Sequence, residues 1–155
     1  MSDCDTSQAD DGGPKPNLFV FPYDWRKDNG QNADLLWEYI RCVREFYPDS
    51  DVDIVAHSMG SLLSRRYILD NPDDHYVNAL ITIGGPFLGA PKLLYVLESG
   101  DFLDPPISML PTVNSTFKHL THSFTGAHQL LPSRKYFELA GEVAAPPYWS
   151  RTTAT

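Results

Sequence analysis

Ser58 ends a strand-forming run and opens a tight turn: Val52-Asp53-Ile54-Val55-Ala56-His57-Ser58-Met59-Gly60-Ser61. A serine hydroxyl becomes a nucleophile only when a neighbouring base takes its proton, and its usual chemistry is then acyl transfer. Such a serine needs a sharp strand-to-helix reversal that lifts its hydroxyl clear of its neighbours, with small residues two before and two after it. Ala56 and Gly60 fill those positions, giving A-x-S-x-G, one methyl group away from the usual G-x-S-x-G. The stretch that follows, Leu62-Leu63-Ser64-Arg65-Arg66-Tyr67-Ile68, has amphipathic helical character. Its N-terminus would point at the serine, and the backbone N–H of Met59 is the candidate donor to a developing oxyanion. His57 adjoins Ser58 in sequence, but on an extended segment its side chain should point the other way. It is therefore expected to pack and position rather than to act as the base.

The elements that must hold this turn are legible on either side of it. Leu18-Phe19-Val20-Phe21 reads as a short apolar strand ended by Pro22. Residues 34 to 47 read as a helix, with Leu35, Leu36, Tyr39, Ile40, Val43, Phe46 and Tyr47 at helical spacing, Asn32 available as a cap and Pro48 as a stop. The strand 52–57 leads to the helix 58–69, closed by Asn71-Pro72, and a third strand, 79–83, runs into Gly84-Gly85-Pro86. Apolar strands alternating with helices imply a parallel sheet covered on both faces. Beyond Pro91 the pattern loosens. A helix is expected over 92–98, irregular chain over 102–131, and one more short helix over 133–141.

Composition sets limits on what the chain does. Its 155 residues suffice for one domain that buries about 70% of its unfolded surface. A net charge of −8 argues against nucleic acid and against simple adsorption to an anionic membrane. Thirteen prolines are an excess for this length, and the late cluster of Pro105, Pro106, Pro111, Pro132, Pro146 and Pro147 favours a regular first half and a loop-rich second half. Two cysteines, Cys4 and Cys42, make neither a disulfide framework nor a metal site, and Cys42 reads as a small buried hydrophobe on a helix. No apolar run is long enough to span a bilayer, and the acidic start lacks the apolar core of a signal peptide. Residues 1–16 are expected to form a disordered lead-in, with a cytoplasmic location by default.

Several segments together resemble the lecithin:cholesterol acyltransferase-like family of serine α/β-hydrolases. They are Phe21-Pro22-Tyr23-Asp24-Trp25-Arg26, then Val55-Ala56-His57-Ser58-Met59-Gly60, then Ile83-Gly84-Gly85-Pro86-Phe87-Leu88-Gly89-Ala90-Pro91. Leu97-Glu98-Ser99-Gly100-Asp101 and Gln129-Leu130-Leu131-Pro132-Ser133 resemble that family's cap and post-cap region. The resemblance implies an α/β fold, a partial α/β-hydrolase core: sheet core over 17–91, a loop-rich cap-like segment over 92–131, a short helix and tail over 132–155. It implies acyl transfer on lipid or other esters through an acyl-enzyme on Ser58, with Met59 as oxyanion donor, no cofactor, and transient contact with a lipid surface. Asp24 and Arg26 are expected to fix their turn by hydrogen bonds, with Trp25 as an apolar plug. The glycines of 84–91 either let the backbone pass close to the acyl site or make a plain tight turn.

The fold places its triad in the order serine, acid, histidine, each on a loop after a strand. Asp101 or Asp104 with His119, His122 or His128 satisfies the order, but these residues lie in the cap-like segment rather than at strand ends. The three histidines share no spacing with a carboxylate or thiolate, so no metal site is expected. Only one strand precedes the serine strand, so the loop for a second oxyanion donor is missing from the pattern. The chain accordingly reads as the central piece of a larger hydrolase, incomplete as a catalyst by itself. The competing reading is a non-catalytic lipid-binding or interaction remnant. Leu103, Ile107, Met109, Leu110, Phe117 and Phe124 either line an acyl chain or merely cover the sheet end.

Overall fold

A computed structural model describes residues 16–100 and 111–140. The described chain falls into two compact units. One holds the residues up to Phe87 together with Phe124–Gly126, and the other holds Leu88–Ser123 and the residues from Ala127 onward. Asp101 and Asp104, with Leu103, Ile107, Met109 and Leu110, lie outside the described residues, as do the lead-in and the tail.

The first unit is built on helix α1, Asn29–Phe46, strand β1, Val52–His57, helix α2, Met59–Asp70, and strand β2, Val77–Ile83. Helix α1 begins five residues earlier than its apolar pattern suggests. The carboxylate of Asp28 accepts from the Gly30 amide at 2.7 Å and caps it there, so Asn32 lies inside the helix. Fully buried, Asn32 donates to the Asp24 carbonyl at 2.9 Å and ties the helix to the preceding loop. Ala33, Leu36 and Ile40 share one face of α1 and pack with Leu63 and Tyr67 of α2 and Val77 of β2. Tyr67 donates its hydroxyl to the His75 carbonyl, and burial first, with Asp74 second, pushes its phenol up to about 12.

The two strands pair in parallel, Asp53 beside Ala79 through His57 beside Ile83, with an irregularity after Val52. Val52, Ile54 and Ala56 therefore share one face of β1, where Val52 and Ile54 pack on the helical core. Residues Val55, Ile81 and Ile83 lie on the other face and are 65%, 53% and 52% exposed. The expected cover on both faces is thus realised on one face among the described residues.

The expected strand over 18–21 does not form. The segment joins no ladder, and among the described residues the sheet has two strands. Helix α1 holds it instead through aromatic contacts, Phe19 with Phe46 at 5.5 Å and Phe21 with Tyr39 at 5.2 Å between ring centres. Tyr39 and Tyr47 donate their hydroxyls to the carbonyls of Val20 and Pro16, at 2.9 and 3.1 Å. A largely apolar cavity of about 640 Å³ is lined by this segment, by α1 and by β1. Cys42 also departs from expectation: it is half-buried and disulfide-bonded rather than packed as a free hydrophobe.

The second unit carries α3, Lys92–Ser99, and α4, Pro111–Thr121; α5 spans Thr125–His128, and α6 spans Arg134–Leu139. Helices α4 and α5 occupy part of the stretch expected to be irregular. Pro111 stands at the first position of α4, where a missing N–H costs nothing and a fixed φ favours the helix. Loop 88–90 is fixed by two backbone bonds, Ala90 N–H to the Leu130 carbonyl at 2.7 Å and Ser133 N–H to the Leu88 carbonyl at 2.8 Å.

Leu63, buried at the junction of both helices and the sheet, is expected to dominate the first unit's stability. Leu63→Ala should cost about 2–5 kcal/mol in urea unfolding, while Leu69→Ala, at 58% exposure, should stay within about 0.5 kcal/mol.

Candidate active site

Ser58 occupies the junction between β1 and α2 with φ 50° and ψ −125°. A non-glycine residue held at positive φ in this region stores roughly 1–3 kcal/mol of strain and persists only where its surroundings dictate it. Two backbone bonds do so. The Ser58 N–H donates to the Ile83 carbonyl at 2.9 Å, extending the parallel ladder one residue past β1, and the Ser58 carbonyl accepts from the Ser61 N–H at 3.0 Å to start α2. The reversal leaves Ser58 exposed. Although Ser58 is the N-cap residue of α2, its side chain makes no capping hydrogen bond, so the hydroxyl is not consumed by the helix.

Met59 is the first residue of α2 and is buried. Its N–H belongs to the first turn, where no carbonyl lies one turn behind to receive it. The two small positions behave as the turn requires. Ala56 is buried, and Gly60 faces the Tyr23 hydroxyl, which lies 3.8 Å from where a glycine-60 Cβ would stand. Burial raises the Tyr23 phenol above its ordinary value. Ser61, fully buried, donates its hydroxyl to the Ala56 carbonyl at 3.2 Å and so closes the turn from below.

Two loops flank the turn at this end of the sheet. Following β2, Gly85 passes so close to α2 that a Cβ on it would stand 2.7 Å from the Ser61 Cβ. Preceding α1, loop 22–28 is fixed by Asp24. Its carboxylate accepts from the Arg26 N–H at 3.1 Å, from Nε at 2.7 Å and from Nη2 at 2.8 Å. The Asp24 carbonyl accepts from the Lys27 N–H at 3.0 Å and from the Asn32 amide at 2.9 Å. The hydrogen bonds from Arg26 hold the Asp24 carboxyl down to about 2. Asp24 and Arg26 thus fix the turn as expected. Trp25 is no plug, however: 45% exposed, its ring stands edge-on to Phe124 with centroids 5.5 Å apart.

Gly126 locks that loop to the elbow. Its N–H donates to the Arg26 carbonyl at 3.1 Å, and a Cβ on it would overlap the carbonyls of Trp25 and Lys27 and approach the Met59 Cε to 2.9 Å. Nothing local in the sequence marks Phe124 and Gly126 as neighbours of residue 25, about a hundred positions earlier. His57 lies exposed on the open face of β1 and does not pack as expected. The candidate histidines belong to the second unit. His119 is exposed on α4, His122 engages the Leu97 carbonyl through Nε2 at 3.2 Å, and His128 engages the His122 carbonyl at 3.0 Å. Among the described residues no three potential metal ligands cluster.

Three outcomes follow for this site. Ser58→Gly should unfold at higher urea than the parent, by about 1 kcal/mol, because glycine adopts the turn without strain; Ser58→Ala, which keeps its Cβ, should not. Gly126→Ala should destabilise by at least about 2 kcal/mol, since backbone carbonyls cannot step aside as a side chain would. Because its native pKa is lowered, the Asp24 contribution to stability is present above 3.8 and is lost as pH falls through about 2. A carboxyl NMR titration should find the midpoint near that lower value, and Arg26→Ala should return it toward 3.8.

No solved structure matches the chain. The lysosomal phospholipase A and acyltransferase of Bos taurus is 35% identical over 85 residues, covering 52% of this chain and 21% of that protein. The protein of the same name from Homo sapiens is 34% identical over the same length and with the same shares. The phosphatidylcholine-sterol acyltransferase of Mus musculus is 32% identical over 91 residues, covering 56% of this chain and 21% of its own. The matched stretch thus spans about a fifth of these relatives. The family model for lecithin:cholesterol acyltransferase matches residues 11–153, and by that match the chain belongs to the lecithin:cholesterol acyltransferase family of lipid acyltransferases and phospholipases.

Proposed function

We propose that Ser58 is the nucleophile of an acyl transfer on lipid esters. One observation carries the reading. An exposed serine sits at positive φ between a parallel strand and a helix N-terminus, with its hydroxyl left out of the cap. Structures keep such strain where geometry at a reactive atom repays it. Relatives named as a phospholipase A and acyltransferase and as a phosphatidylcholine-sterol acyltransferase support a lipid ester as substrate.

In the proposed reaction the Ser58 Oγ bonds to the ester carbonyl carbon while a base takes the hydroxyl proton. The carbonyl oxygen gains charge and accepts a hydrogen bond donated by the Met59 N–H at the start of α2, and as the carbonyl re-forms the alcohol leaves with the proton the base took. Water or an acceptor alcohol then attacks the acyl-enzyme, returning the proton to Ser58. Asp101 or Asp104 as acid and His119, His122 or His128 as base remain the candidates in this chain. The reading keeps residues 17–91 as the sheet core and 92–131 as a cap-like segment. The disulfide at Cys42 fits an oxidising compartment better than the cytoplasm. No helix among the described residues is long and apolar enough to cross a membrane.

A fluorophosphonate probe read by intact mass tests the proposal. One adduct is expected on the parent chain and none on Ser58→Ala. A folded parent chain that stays unlabelled would show an elbow without a base and overturn the reading for this chain.

A further inference from the structure

Among the described residues, strand β1 is paired along one edge only. In a strand the N–H and C=O of one residue point to one side and those of the next residue to the other. Val52 donates its N–H to the Tyr76 carbonyl and Ser58 donates to the Ile83 carbonyl, both at 2.9 Å, so the even-numbered residues face β2. The backbone of Asp53, Val55 and His57 therefore faces the opposite edge, where the described residues supply no further strand. That edge opens on the cavity of about 640 Å³. Every residue of β1 lines it, from both pleat faces, as a space lying beside the strand requires. Its other walls include Phe19 and Phe21 of the preceding segment and Tyr39, Ile40 and Val43 of α1.

A row of unpaired amides and carbonyls is a template for one kind of ligand, a peptide backbone with the same period of two. A small apolar molecule would fill the cavity yet leave the backbone of Asp53, Val55 and His57 without partners. Charge and room select the source of that peptide. Each copy of the chain carries a net charge of −8, which opposes pairing with a second copy. The β1 of a second copy would also arrive with β2 and two helices attached, whereas a cavity walled by residues 17–21 takes a single segment. At the start of β1, Asp51 and Asp53 stand exposed, and among the described residues neither is in an ion pair. We propose that this edge of β1 accepts a strand from another polypeptide, an extended aliphatic segment with a basic residue near Asp53. Its inward side chains meet Phe19, Phe21 and Val43, and its outward ones extend the aliphatic surface begun by Val55. The proposal does not depend on Ser58 being a nucleophile.

Amide hydrogen exchange read by NMR tests this, with N-acetylated, C-amidated Lys-Val-Ile-Val-Ile-Val-Lys as the probe. In the chain alone the Ser58 amide should exchange slowly, and those of Asp53, Val55 and His57 quickly. Saturating peptide should slow the latter set by at least about tenfold. The fully N-methylated peptide keeps every side chain but has no backbone donor, and it should give no such protection. Asp53→Lys, a change at an exposed position, should weaken the lysine peptide severalfold in fluorescence anisotropy and favour Glu-Val-Ile-Val-Ile-Val-Glu instead. Unchanged exchange with saturating peptide would overturn the proposal. So would equal binding of the N-methylated peptide, which would mean that the cavity takes an apolar ligand without a ladder. Protection of the same amides that needs no peptide and rises with protein concentration would overturn it in favour of a second copy.

Discussion

The hydrogen bond from the Ser58 N–H to the Ile83 carbonyl lies one residue beyond the last strand residue of β1, and the geometry of the candidate site hangs on it. Left to itself, a serine in a short peptide avoids positive φ by more than the strength of one such bond in water. The bond wins because the parallel ladder behind it and the first turn of α2 ahead of it are both anchored in a packed core. Leu63 and Tyr67 press α2 onto α1, while Val52, Ile54 and Val77 press the strands onto the same cluster. The strain at Ser58 is therefore sustained by burial some distance away. That is how a domain can present a hydroxyl at the edge of a sheet with its own backbone in an unfavourable conformation.

The same core is one-sided. Parallel sheets ordinarily carry helices on both faces, because neither face alternates polar residues outward. Here the helical face is buried, whereas Val55, Ile81 and Ile83 leave an aliphatic stripe on the other. The segment 17–21 is held by the tyrosines of α1 and, among the described residues, by no ladder bonds, and a largely apolar cavity is lined by this segment and by β1. This accounts for the missing first strand. Its hydrophobic residues have the right composition for a strand, but a strand exists only where a neighbour supplies the complementary row of amides and carbonyls.

Much of the architecture could be read directly from local pattern. The second strand and the helices α1, α2 and α3 follow from periodicity and punctuation, and the elbow follows from two small residues flanking Ser58. The start of α1 was less legible. The apolar stripe begins at Leu35, but the carboxylate of Asp28 captures the Gly30 amide and adds a turn of polar sequence. Helices α4 and α5 are rich in threonine, serine and histidine, whose weak intrinsic preference gives no periodic signal to read. Cys42 looked like a small apolar residue on a helix, and its bonded sulfur depends on a pairing that spacing does not reveal.

By itself the sequence determined the chemistry on offer and the local shape that presents it: a serine between small residues, a strand to deliver it, a helix to leave by, and a family to which the pattern belongs. Such information is local, since a turn of this kind is specified by side-chain size within a few residues. Only the tertiary structure decided what surrounds the serine. It brought Gly126 and Phe124 against Trp25 and put Gly85 on Ser61, and within the second unit it tied His122 and His128 to backbone carbonyls. Contacts between residues far apart in the chain are selected by packing and by the need to satisfy buried carbonyls and amides, and no short window of sequence carries that information.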